Sequence, residues 1–169
     1  MVKQIILPLV AVMVFIALVG FYYKKSTNLS LPSPTSQASV GVTKKTLMIG
    51  DRIIPVEIVS TPELRARGLS GRTSLDQNSG MLFTFEAQNV TPSFWMKDMK
   101  IPIDIIWIND AKIVKIDKDI KPPSEGTIDS KLQVYNPGEP IDFVLEVNAG
   151  YSVDNDMRVG DSINLSGTF

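Results

Sequence analysis

The sequence predicts a mainly β protein: a single β-sandwich or partly closed barrel domain with one short helix, preceded by an N-terminal transmembrane helix. Three observations predict it. From residue 46 onward, short apolar or alternating runs recur, broken by Gly, Pro, Asn and Asp, as many short strands require. One clear helix-start signal interrupts them, at Thr61-Pro62-Glu63. Ahead of them all, the chain runs from Ile5 to Tyr23 without a charge.

That first segment is 19 residues long, and at ~1.5 Å rise per residue it spans about 28 Å, close to the hydrocarbon core of a bilayer. Pro8 falls in the first turn, where a missing N–H costs least, and Phe21-Tyr22-Tyr23 before Lys24-Lys25 resembles an interfacial belt and anchor. A cleaved signal peptide has a shorter apolar core of ~7–15 residues followed by a small-x-small site. The nearest such pattern, Ser36-Gln37-Ala38, lies well beyond the membrane exit. Residues 1–25 are therefore expected to be a retained anchor, with the lipid bilayer as a partner through residues 5–23. Lys3 and the α-amine nearly balance Lys24 and Lys25, so the positive-inside rule leaves the orientation open. Residues 26–45 are rich in Ser, Thr and Pro, too poor in apolar bulk to pack, and read as a solvated linker. That linker and the absence of cysteine favour a single-pass protein of the cytoplasmic membrane, its C-terminal domain on the extracytoplasmic side.

Residues 46–169 then form one mainly β domain, long enough for one core and too short for two. Strands are expected at Thr46–Ile49 and Ile53–Val59 around a Gly50-Asp51 turn, with Pro55 pushing the second toward a sheet edge or a bulge. The short helix has Thr61 as N-cap, Pro62 at its first position, Glu63 near the positive dipole end and Gly68 as terminator. Further strands are expected at Met81–Phe85, Ser93–Lys97, Ile103–Ile108, Lys112–Asp117, Lys131–Tyr135, Phe143–Val147 and Ser162–Leu165.

Composition excludes whole classes of chemistry. The chain has no histidine and no cysteine, so it supplies no Ser-His-Asp or Cys-His nucleophile system, no thiol redox centre, no cysteine or histidine zinc site and no axial haem histidine. No G-x-x-x-x-G-K, G-x-G-x-x-G or S-x-x-K motif is present either. Lys plus Arg total 17 and Asp plus Glu 18, but all five cationic residues of positions 1–45 stand without an acid. Residues 46–169 thus hold 12 basic and 18 acidic side chains, a net of −6, which offers nucleic acid little counterion release. Asp154-Asn155-Asp156 with nearby Asp161 lacks the spacing of a calcium loop and reads as a turn. Neither a metal nor a cofactor is expected.

Three constellations remain. Arg65, Arg67 and Arg72 fall within ten residues of an otherwise acidic domain; they suit an anion, or a solvated helix face with internal salt bridges. In Phe94-Trp95-Met96-Lys97 the strand period sends Phe94 and Met96 to one face and Trp95 and Lys97 to the other. The aromatic groups are expected to be core, with a Trp95–Lys97 ligand platform as the alternative. Asp104 and Glu146 each sit inside an apolar strand, where a charge is costly unless paired. Asp104 calls for an Arg or Lys, or backbone N–H groups, as its partner, and a structural pair with Arg65 or Arg72 is expected. A catalytic pair of Asp104 with Glu146, as a glycosidase would use, depends on a separation that sequence does not supply.

The order of these segments resembles a known family. Thr61-Pro62-Glu63 with Arg65, Gly68-Leu69 and Arg72, then Gly80-Met81-Leu82-Phe83 with Phe85, Phe94-Trp95-Met96-Lys97, Ile101-Pro102-Ile103-Asp104, Leu145-Glu146-Val147 with Ala149-Gly150, and Gly160-Asp161 are similar to the bacterial and archaeal domain of unknown function 192, over about residues 46–166. Asp98-Met99 stands where relatives usually have Asn-Thr, and Ser70 where they usually have Met. The resemblance implies a small, mainly β domain, often behind a signal peptide or anchor, and it implies no particular reaction.

The functional expectation is a membrane-anchored extracytoplasmic module that binds an envelope ligand, a glycan or an organic anion, with Arg65, Arg72, Trp95, Lys97 and Asp104 as its ligand-binding residues. A cofactor-independent hydrolase of envelope glycans built on Asp104 and Glu146 is the first alternative. A purely structural envelope module is the second.

Overall fold

A computed structural model describes residues 43–166. The expected transmembrane segment and most of the linker lie outside the described residues. Among the described residues, no helix is long and apolar enough to cross a membrane. Within residues 43–166, nine strands and two short α-helices follow one another: β1 (Thr43–Ile49), β2 (Arg52–Val59), α1 (Pro62–Arg67), β3 (Gly80–Thr84), β4 (Phe94–Trp95), β5 (Ile103–Asn109), β6 (Lys112–Ile120), β7 (Val134–Tyr135), β8 (Phe143–Asn148), α2 (Tyr151–Asp154) and β9 (Ile163–Asn164). Seven strands make one sheet in the order β6-β5-β8-β3-β2-β1-β9, while β4 and β7 pair separately. The large sheet curls into a half-barrel. Its two ends approach each other, tied by the Lys112–Ser162 bridge and by the bond from the Ile163 N–H to the Ala111 carbonyl at 2.8 Å.

Central strands β3, β5 and β8 are buried on both faces, which is why their sequences read as nearly continuous apolar runs. Inside the curl, Leu47, Ile54, Val56, Leu82, Ile106, Ile108, Leu145 and Val147 form one core. On the outer face, Met81, Phe83, Ile103, Ile105, Trp107 and Val144 form a second, covered by Leu69, Met96, Met99 and Ile101 from loops. Parallel pairing of β2 with β3 requires a crossover, which residues 60–79 provide. That crossover holds α1, so the helix necessarily lands on a face of the sheet. Its N-cap is the expected one: the Thr61 hydroxyl accepts from the Leu64 N–H at 3.3 Å.

Four sequence expectations need correction. Pro55 sits in β2, an internal strand and not an edge. It is tolerated because β3 begins to pair only at Val56, so no ladder bond is lost on that side. The strand expected at Ser93–Lys97 shrinks to Phe94–Trp95, and the one expected at Lys131–Tyr135 becomes a 3-10 turn (Asp129–Lys131) followed by Val134–Tyr135. These segments pair only with each other, so nothing extends them. A second helix, α2, was not foreseen, since four residues leave no periodicity to detect.

Candidate functional site

Strand register places the carboxylates before any pocket is considered. Across β5 and β8, Asp104 faces Val147 and Ile105 faces Glu146. Directly opposed residues share a face, so Asp104 points into the curl with Val147, and Glu146 points outward with Ile105 and Met81. The expected catalytic pair is therefore split across the sheet.

Asp104 is fully buried, and its partner is not an arginine. One oxygen accepts from the Asp119 N–H at 2.8 Å and the Gly150 N–H at 3.2 Å; the other accepts from the Ser152 N–H at 3.0 Å and the Ser152 hydroxyl at 2.6 Å. Four donors satisfy both oxygens and tie β6 and the start of α2 to β5. The expected ion pair fails because both arginines lie elsewhere. Arg72 forms a two-pronged pair with Glu57, with contacts of 3.0 and 2.5 Å, and holds the Glu57 carboxyl below its usual range. Arg65 donates to the Ser60 carbonyl and, at 2.9 Å, to the Thr84 carbonyl, and lies 5.3 Å from the centre of the Phe85 ring. Lys97 pairs with Asp129 at the surface.

On the outer face a cleft of about 240 Å³ opens between the α1 loop and the segment around β4. Leu69, Phe83, Phe85, Phe94 and Met99 supply its apolar walls, and Glu146 lies among its lining residues. The two walls are joined at one end by the Ser70 hydroxyl donating to the Lys97 carbonyl and the Gly71 N–H to the Asp98 carbonyl, each at 2.8 Å. Gly68, at φ +47, lets the chain turn so closely over the sheet that a Cβ there would stand 3.3 Å from the Phe83 ring. Phe94 is clamped edge-on between Phe83 and Trp107, with centroids 4.9 and 5.5 Å away. The cleft is thus built from anchored groups.

Glu146 is its unusual member. The residue is only 6% exposed, and its Oε2 is buried without a hydrogen-bond partner. Desolvation alone pushes its carboxyl up to about 8, so at neutral pH it carries a proton. Other ionisable side chains lining the cleft are Arg65, held by carbonyls, and Arg67, exposed and without an ion-pair partner among the described residues. Trp95 also lines the cleft, but at 52% exposure it is not core; Phe94 and Met96 on the opposite strand face are the packed pair.

Of the residues expected from sequence to bind ligand, Arg65 and Trp95 reach this cleft, while Arg72, Lys97 and Asp104 do not line it. In sequence, Glu146 is legible only as a costly charge in an apolar strand and as half of a carboxylate pair. Arg67 stands in the Arg-rich segment without a role, and Phe83, Phe85 and Met99 enter only through the family resemblance, with no ligand role assigned. Among the described residues, no group of three or more acidic side chains converges on a metal-sized site.

Residues 45–165 match the model of the family DUF192, described as an uncharacterized ACR. A solved structure from Sinorhizobium meliloti 1021, described as a "putative transcription regulator", is 28% identical with a TM-score of 0.64, covering 74% of this chain and 95% of its own. A protein of unknown function from Novosphingobium aromaticivorans DSM 12444 is 24% identical with a TM-score of 0.63, covering 76% of this chain and 89% of its own. No curated protein matches. The match covers almost all of the Sinorhizobium chain.

Proposed function

The chain belongs to the DUF192 family, and we propose that in this member the domain is a binding module that takes a small ligand into the cleft over Glu146. The unpartnered Oε2 of Glu146 carries this reading. A buried polar group left without a partner costs about 1–3 kcal/mol, and nearly all such groups in folded proteins are satisfied. A ligand atom seated in the cleft would supply the missing bond. Aromatic walls with one convergent polar group are the usual composition of a small-molecule site.

Binding is favoured over hydrolysis by the placement of the carboxylates. A glycosidase needs two flanking the scissile bond within one cleft, and here the second candidate is turned into the opposite core, with four donors of its own. A nucleic-acid role, suggested by the description of the Sinorhizobium relative, finds little support in a net charge of −6 over residues 46–169. The uncharged segment from Ile5 to Tyr23 and the Ser/Thr/Pro-rich linker support an extracytoplasmic domain on a retained anchor. An envelope ligand follows from that address. Alkaline phosphatase fused after Phe169 should be active in cells; an inactive but expressed fusion would sink the orientation.

The binding reading is tested by a thermal-shift panel on residues 43–169, using wall glycans and small organic anions, with Ser93→Trp as the blocked-cleft control. Ser93 is exposed and lines the cleft, so the indole fills it without entering the core. Ligands should raise the melting temperature of the wild-type domain and not of the variant, because only native-state binding stabilises. Equal shifts in both proteins would place binding elsewhere.

A further inference from the structure

We infer that the cleft selects a small monoanion with a flat apolar body, whose buried end accepts a hydrogen bond from the Glu146 carboxyl while its charge sits by Arg67. The inference rests on the binding reading above and adds to it the chemistry of the ligand. Three features of the cleft point to it.

First, the floor is a donor. Glu146 has Met81 and Ile105 as its register neighbours on β3 and β5, neither of them ionisable. The wall opposite brings only Arg65 and Arg67 as charged groups, and Arg65 already donates to two carbonyls. No base is therefore placed to take the Glu146 proton, and a neutral carboxyl offers its O–H to a carbonyl or ether oxygen. Second, the walls are aromatic and anchored, so they accept a planar body better than a flexible chain. Third, the lining carries two guanidiniums and no ionised acid when Glu146 is neutral. An ammonium ligand would meet repulsion at the mouth, whereas a carboxylate would meet Arg67, which has no competing partner among the described residues. A carboxylate driven to the floor would instead sit against the Glu146 oxygens, so the anion belongs at the mouth.

The consequence is a binding constant linked to the proton on Glu146. Above about pH 8 the carboxyl ionises, loses its donor and repels the acceptor, so affinity should fall up to tenfold per pH unit. Below that pH it should be flat. A ligand that donated to an ionised Glu146 would show the opposite slope.

The probe is 4-acetylbenzoate, which pairs a carboxylate with a ketone acceptor across one ring, titrated calorimetrically into residues 43–169 between pH 6 and 10. Wild-type affinity should be constant to about pH 8 and drop at least tenfold by pH 10. Glu146→Gln keeps an N–H donor at every pH, so it should bind within a few-fold of wild type at neutral pH and show no drop. 4-Isopropylbenzoate, of similar shape but without the acceptor, should bind at least tenfold more weakly, and Arg67→Gln should weaken 4-acetylbenzoate at least fivefold. Affinity that rises above pH 8, equal binding of the isopropyl compound, or no binding of 4-acetylbenzoate at millimolar concentration each overturns the inference. The binding reading is judged separately, by the thermal-shift panel. A glycan that shifts wild type and not Ser93→Trp would uphold the cleft and reject the anion.

Discussion

Replacing Glu146 by Gln should abolish a pH dependence of stability that the wild-type domain carries. In the folded domain desolvation raises the carboxyl from 4.5 to about 8, whereas in the unfolded chain it titrates near its ordinary value. Between those two values the folded state holds more protons than the unfolded state, so stability must fall as pH rises, by up to ~1.4 kcal/mol per pH unit. Subtracting 4.5 from about 8 leaves roughly 3.5 units, and at ~1.36 kcal/mol each the total is on the order of 5 kcal/mol. That figure is an upper bound, because water entering the cleft relieves part of the desolvation. Other shifted groups act outside this window. Glu57 and Glu63 are lowered, so their contributions change below their usual range, and Lys97, Tyr135 and Tyr151 are raised from values of 10 or above. Glutamine is uncharged throughout and nearly isosteric. Urea denaturation of both proteins at intervals from pH 4.5 to 9 should therefore give curves that diverge by several kcal/mol, the variant gaining steadily over wild type and the gap levelling above pH 8. Parallel curves would show that Glu146 is solvated or paired, and the cleft would lose its defining group.

Asp104→Asn should destabilise the domain by about 3 kcal/mol at neutral pH, since an amide NH₂ must then face two of the four donors now satisfied; an equilibrium loss below about 1 kcal/mol would refute the structural role. Trp95→Ala should cost less than about 1 kcal/mol because the ring is 52% exposed, while Trp107→Ala, fully buried, should cost ~3–5 kcal/mol. Denaturation midpoints that reverse this order would mean that β4 is packed differently. Gly80→Ala should destabilise by about 1–3 kcal/mol, because the added Cβ would meet the Glu146 carbonyl oxygen and a Leu145 methyl, each at 2.8 Å. A neutral result, read by the same denaturation, would mean that β3 and β8 are less closely apposed.

Much of the architecture was legible because it depends on local or periodic signals. The Thr61 cap, Pro62 and Gly68 bounded α1 to the residue. Long central strands betrayed themselves by apolar runs and turn residues. Features that failed were those whose partners lie far away in sequence. Lys131–Tyr135 alternates well enough to suggest a full strand, but only Val134 and Tyr135 find a neighbour, in β4. Pro55 read as an edge signal because sequence does not say where the adjacent strand begins.

The carboxylates show the same division. Each lies in an apolar strand, so the need for burial and compensation is written in Ile103–Ile108 and Phe143–Val147. What compensates them is not. An offset of one residue in the β5–β8 register decides that Asp104 enters one core and Glu146 the opposite face. Asp104 then meets donors from positions 119, 150 and 152, and Glu146 meets none on Oε2. Composition and patterning alone determined the class, the capped helix and the exclusion of histidine and cysteine chemistry, because these follow from residue type and short-range spacing. Only the tertiary structure decided which arginine pairs, which tryptophan is core and which acid floors a cleft, because register and long-range contact set the face and the partners of every side chain.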